Sequence, residues 1–170
     1  MKNFLHWIVL FLLISSILTV TVGCESPLTE TSKTINDDDD DDDIETLESS
    51  YYDDESHNNG QNCMSCHIAG GEGEGIFTVA GSVFKSDFIN PYPNATVNLY
   101  KSDLSSIIYT LQVDGLGNFY TTESVDLSFG CLPQVSASGN TVQMATATTV
   151  GACNGCHNGI TESFIYLTSE

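Results

Sequence analysis

Two five-residue segments of this 170-residue chain repeat one pattern, Cys63-Met64-Ser65-Cys66-His67 and Cys153-Asn154-Gly155-Cys156-His157. Two thiols separated by two residues can reach the two vinyl groups of one porphyrin. The imidazole that follows immediately is then held beneath the iron. The spacing therefore predicts covalent attachment of a c-type haem at each segment, with His67 and His157 as the proximal iron ligands. A second reading stays open. Cys63, Cys66, Cys153 and Cys156 also have local spacing acceptable for a four-cysteine zinc site or a pair of disulfides. That reading requires the two segments to meet in space and makes His67 and His157 coincidental, in a chain with four histidines.

The sixth coordination positions have two candidates. His57 lies ten residues before His67, and its alternative role is that of an ordinary solvated side chain. Met144 precedes the second segment on a strand-like stretch, where it could equally fill core space. Met64 is held inside its own motif. The run Gly70-Gly71-Glu72-Gly73-Glu74-Gly75 lacks the lysine and following helix of a phosphate loop. It reads as a hinge or as backbone packed close to a porphyrin. Cys131 is left over from the pairs and reads as a small buried hydrophobe.

The elements that position these residues begin after a leader. Lys2 precedes a mostly apolar stretch, Phe4 to Val22, that closes on Val22-Gly23-Cys24. This ending resembles the lipobox of bacterial lipoproteins, which implies cleavage after residue 23 and lipidation of Cys24; the alternative is an uncleaved membrane anchor. Either way the remainder lies outside the cytoplasmic membrane, on the periplasmic face or the cell surface, the setting in which c-type haem is attached. Residues 24–60 are strongly acidic. Asp37 to Asp43 are consecutive aspartates, and the chain carries a net charge of -19. Such a segment repels itself and buries little, so it reads as a disordered tether, with a cation-binding tract or export signal as the functional alternatives. Four Lys and Arg residues in all exclude a nucleic-acid partner.

Residues 61–170 then form one domain with a β pattern, an all-β fold. Strand-like stretches are 76–84, 95–100, 107–113, 118–122, 125–129, 134–137 and 141–148. Turn signals at Asn90-Pro91-Tyr92-Pro93-Asn94, Asp114-Gly115-Leu116-Gly117-Asn118 and Ser138-Gly139-Asn140 separate them. Short strands so punctuated predict a single small immunoglobulin-like β-sandwich, with one C-x-x-C-H segment before its first strand and one after its last. Ala80-Gly81-Ser82-Val83, Pro93 to Leu99, and Asp114-Gly115-Leu116-Gly117-Asn118-Phe119-Tyr120 resemble the carboxypeptidase regulatory-like domain. The resemblance implies a transthyretin-like sandwich of about seven strands with a structural or binding role, and it carries over no catalytic residues. Gly115 and Gly117 suit the positive φ of a tight hairpin. The whole domain also resembles cytochrome-like extracellular proteins that hold a sandwich between such motifs.

The sequence thus predicts a dihaem c-type cytochrome lipoprotein that transfers electrons at a bacterial cell envelope and is not an enzyme. Its expected partners are redox proteins or an extracellular electron acceptor. If a sandwich sets the two haems at opposite poles, head-to-tail contact in a homo-oligomer or filament becomes the conducting route. The alternatives are a non-haem adhesion or carbohydrate-binding module stapled by disulfides or zinc, and a haem-based sensor or enzyme with an open coordination position.

Overall fold

The computed structural model describes residues 46–168. The leader, Cys24 and the aspartate run lie outside them. No helix among the described residues is long and apolar enough to cross a membrane.

The fold is all-β, two sheets packed face to face. Strands β1 (Val79–Lys85), β4 (Asn118–Thr121) and β7 (Ile165–Leu167) form one sheet in the order β4-β1-β7. Strands β2 (Thr96–Lys101), β3 (Ile107–Gln112), β5 (Cys131–Ala137) and β6 (Asn140–Gln143) form the other in the order β3-β2-β5-β6. Val79, Val83, Val97, Leu99, Leu111, Phe119, Val135 and Leu167 fill the space between the sheets, with Cys131 buried among them. Inward residues recur at every second position, as a half-buried strand requires.

β1 is the exception that matters. Its outward residues Ala80, Ser82 and Phe84 are as buried as its inward ones, at 2, 1 and 6 % exposure. A strand covered on both faces loses its alternation and reads as a continuous small or apolar run. Ser82 is covered by Gly60 and Asn154 and Phe84 by Phe164, and a 3-10 turn at Cys63–Ser65 and a single-turn helix α1 at Cys153–Cys156 both touch β1.

Several expectations change. The second motif does not follow the last strand, because β7 comes after it and pairs parallel to β1, Val83 opposite Ile165 and Lys85 opposite Leu167. Each motif therefore leads into one of two neighbouring parallel strands, and the motifs do not occupy opposite poles. Residues 125–129 are not a strand: the Asp126 carboxylate accepts the Ser128 N–H at 3.0 Å, and Gly130 N donates to Leu127 O at 2.9 Å, closing a turn. The last strand expected at 141–148 stops at Gln143. The Asp114–Asn118 turn is a corner between sheets rather than a hairpin. Asp114 Oδ1 accepts the Leu116 and Asn118 N–H groups at 2.9 and 2.8 Å, and only Gly117 of the two glycines takes positive φ, at 87°.

Order also begins before residue 61. Ser49 Oγ donates to Gln112 O at 2.6 Å while Ser49 N donates to Tyr120 O at 3.0 Å, so residues 46–60 seal the seam between β3 and β4. Gly115 N donates to Asp53 O at 2.6 Å, tying the same strap to the corner.

Candidate functional site

The two motif loops share one hydrogen-bond plan. In the first, His67 N donates to Cys63 O at 3.0 Å; in the second, His157 N donates to Cys153 O at 2.8 Å. Each loop then returns to its second cysteine, Gly73 N to Cys66 O at 3.1 Å and Glu162 N to Cys156 O at 3.0 Å. The very next residue supplies the carbonyl that holds the histidine. His67 Nδ1 donates to Glu74 O and His157 Nδ1 donates to Ser163 O, both at 2.7 Å.

That bond decides a tautomer. A carbonyl oxygen only accepts, so Nδ1 carries the proton, and in the neutral ring Nε2 keeps its lone pair. A metal-ligating histidine is typically oriented in this way, its far nitrogen tied to a carbonyl while the near one faces the metal. Both rings are partly buried.

The surroundings of the rings differ. His67 stacks on Phe77 with centroids 4.0 Å apart and planes 5° off parallel, and Phe77 stacks on Tyr120 at 4.8 Å. His57 stands 6.0 Å from His67, ring centroid to ring centroid. Its backbone is held by Asn118 Nδ2, which donates to His57 O at 3.3 Å, so it belongs to the ordered strap and not to a free tether. Most of the glycine run is exposed, and Gly70 has open space around it, whereas Gly73 lies against His67. A Cβ on Gly73 would lie 2.7 Å from His67 Nδ1, so the absence of a side chain there makes room for the ring.

The second loop borders a cavity of about 310 Å³ whose walls include Val135, Val142, Val150 and Phe164, together with Cys153, Cys156 and His157. Met144 lines the same cavity and is only partly buried, outside the core cluster. Two sulfurs, an oriented imidazole and a mostly apolar wall fit a flat apolar macrocycle carrying an iron.

Cys63, Cys131, Cys153 and Cys156 carry free thiols, while Cys66 is disulfide-bonded. Burial pushes the Cys153 thiol up to about 12, with Cys131 and Cys63 adding to the effect; burial likewise raises Cys63 and Cys131. Among the described residues no three His, Cys, Asp or Glu side chains converge to hold a metal ion, so the four motif cysteines do not form a preassembled zinc knuckle.

Sequence reasoning passed over the residues that join the loops. Asn154, a variable position of the second motif, is buried at 2 % exposure. Its Nδ2 donates to Gln61 O at 2.8 Å and to Ser82 Oγ at 2.9 Å, and its Oδ1 accepts Ser82 N at 3.1 Å. Gly60 N donates to Ser82 Oγ at 3.0 Å, and Ser82 Oγ donates to Asn118 Oδ1 at 2.6 Å. One buried polar chain thus links the first motif's approach, β1, the second motif and the inter-sheet corner. A polar residue inside an otherwise apolar strand, Ser82, is its one sequence signal.

No protein-family model, curated protein or solved structure matches this chain.

Proposed function

We propose that the chain is a dihaem c-type electron carrier of a bacterial cell envelope, tethered through lipidated Cys24 outside the cytoplasmic membrane, at the periplasmic face or the cell surface. The observation that carries this reading is the matched pair of Nδ1-to-carbonyl bonds, which leaves the Nε2 of both His67 and His157 free to bind iron. A zinc or disulfide staple gives no reason for either bond to exist, still less for the same bond twice.

In this reading Cys63, Cys66, Cys153 and Cys156 would hold two haems by thioether bonds, and His67 and His157 would ligate them. The bound haem supplies an iron that gains or loses one electron. The rest is done by the chain. His57, 6.0 Å from His67, would be a further residue to hold iron at the first site and Met144 at the second, while the apolar wall beside Cys153 would exclude water and tune the potential. Attachment at the first loop would need a thiol reductant to open the Cys66 disulfide first, because a disulfide sulfur has no S–H to add across a vinyl group. No acid–base pair or nucleophile is invoked, so the role is transfer to redox proteins or an extracellular acceptor rather than substrate turnover.

The test is direct. Full-length protein made in a host competent for cytochrome c maturation is expected to gain the mass of two haems and show sharp reduced absorbance bands. A colourless product holding zinc or paired thiols instead supports the surface-adhesion alternative.

A further inference from the structure

The buried amide of Asn154 is expensive to enclose unless each of its polar atoms is satisfied, and here each is, by groups that belong to the other loop or to the strand beneath both. From Cys63 the chain runs back through Asn62 to Gln61, whose carbonyl receives the Asn154 amide at 2.8 Å; Asn154 is bonded directly to Cys153. Gly155 faces the Asn62 side chain, to which an added Cβ would come within 3.7 Å. Ser82 fastens both sides at once, accepting from Gly60 N at 3.0 Å and from Asn154 Nδ2 at 2.9 Å. The two loops therefore meet beside β1, joined through the Asn154 side chain and Ser82.

Resting on the dihaem reading, we infer that the two attachment loops are one redox unit, in which Asn154 is the positioning residue that clamps them together so that electrons exchange between the haems within a single molecule. The exchange moves one electron, oxidising one iron and reducing the other, with no bond made or broken. Head-to-tail contact between molecules is then not the conducting route, because the two loops are joined directly within one molecule.

The experiment uses full-length protein shown by mass to carry both haems, partly reduced by dithionite or a light pulse. Electron redistribution between the haems is expected at a rate independent of protein concentration. The electron paramagnetic resonance spectrum of the oxidised protein is expected to differ from the sum of the Cys63→Ala/Cys66→Ala and Cys153→Ala/Cys156→Ala spectra. Asn154→Ala, with both haems still attached, is expected to slow redistribution at least tenfold. A redistribution rate proportional to concentration, or an oxidised spectrum equal to that sum, overturns the inference while leaving two haems in place. Absence of haem overturns the parent reading instead. If Asn154→Ala fails to fold, the concentration dependence of the parent protein still decides.

Discussion

The Asn154 side-chain amide, inside one C-x-x-C-H motif, donates to the backbone carbonyl of Gln61, two residues ahead of the other, at 2.8 Å and across 93 residues of chain. Truncation at this position leaves Ser82 N without its acceptor in a buried site and Gln61 O without its donor in a part-buried one. Each such loss costs about 1–3 kcal/mol. Asn154→Ala in the haem-free protein is therefore expected to unfold with about 2–4 kcal/mol less stability in a urea titration. A variant as stable as its parent removes the clamp from the account.

The Nδ1 bonds predict how the proximal histidines fail. Thioether bonds hold the macrocycle whether or not the iron has an axial imidazole, so His67→Ala and His157→Ala each keep two haems by mass. Each is expected to convert one haem, and one only, to a high-spin spectrum. Two altered haems in either variant, or none, contradicts the assignment of one histidine per site.

The distal ligands divide along the same line. His57 lies near His67 and Met144 lies in the cavity beside His157. Methionine ligation raises a haem's potential relative to a second imidazole, so the oxidised protein is expected to reduce in two steps, the Met144 site first. Met144→His should lower that step and narrow the gap, whereas His57→Ala should leave the Met144 step in place. A potentiometric titration followed by absorbance separates these outcomes; a single step in the parent protein rules out the unequal pair.

What the sequence disclosed and what it hid follow from range. The thiol spacing and the following histidine are contained in five residues, and the alternation of Val97, Leu99 and their neighbours in six, so both were legible. β7 has three residues and pairs with a strand far earlier in the chain, which leaves no periodic trace. The stretch 125–129 alternates like a strand, yet the Asp126 side chain captures a local N–H and turns it. Composition alone places the acidic strap in the tether, since it is that of an unfolded segment; its order comes from backbone groups of Ser49 and Asp53, which composition does not encode. Neither Asn154 nor Ser82 belongs to a motif for any local reason. Their importance is the contact itself.

Asp114 gives the fold a pH dependence with a definite sign. Burial holds its carboxyl above the ordinary value of 3.8, against the lowering effect of bonds from Ser56 and the Asn118 and Leu116 N–H groups. A carboxyl raised in the folded state contributes stability below its unfolded pKa and loses that contribution as pH rises through the folded one. Stability owed to this residue should therefore fall from about pH 4 upward. Asp114→Asn keeps an oxygen for the two N–H groups and discards the charge, so it is expected to remove this part of the pH profile and to be no less stable than the parent at neutral pH. Urea midpoints at pH 4, 5.5 and 7 compare the two; an unchanged profile contradicts the role given to the buried carboxyl.

Gly73 offers the sharpest separation of the two sites. An alanine Cβ there would come within 2.7 Å of His67 Nδ1 and 2.8 Å of its Cε1 and Cγ, well inside van der Waals contact, so the ring must move. Movement stretches the bond to Glu74 O that fixes the tautomer and aims Nε2. The fold should feel this as ordinary overpacking at a partly exposed site, about 1 kcal/mol. The iron should feel it far more, because ligand orientation sets field strength and potential. Gly73→Ala in a Cys153→Ala/Cys156→Ala background, where the only haem is the first, is expected to alter the low-spin spectrum and shift the reduction step. The same change in a Cys63→Ala/Cys66→Ala background should leave the remaining haem untouched. Equal effects in both backgrounds would mean that Gly73 acts through general unfolding rather than through His67.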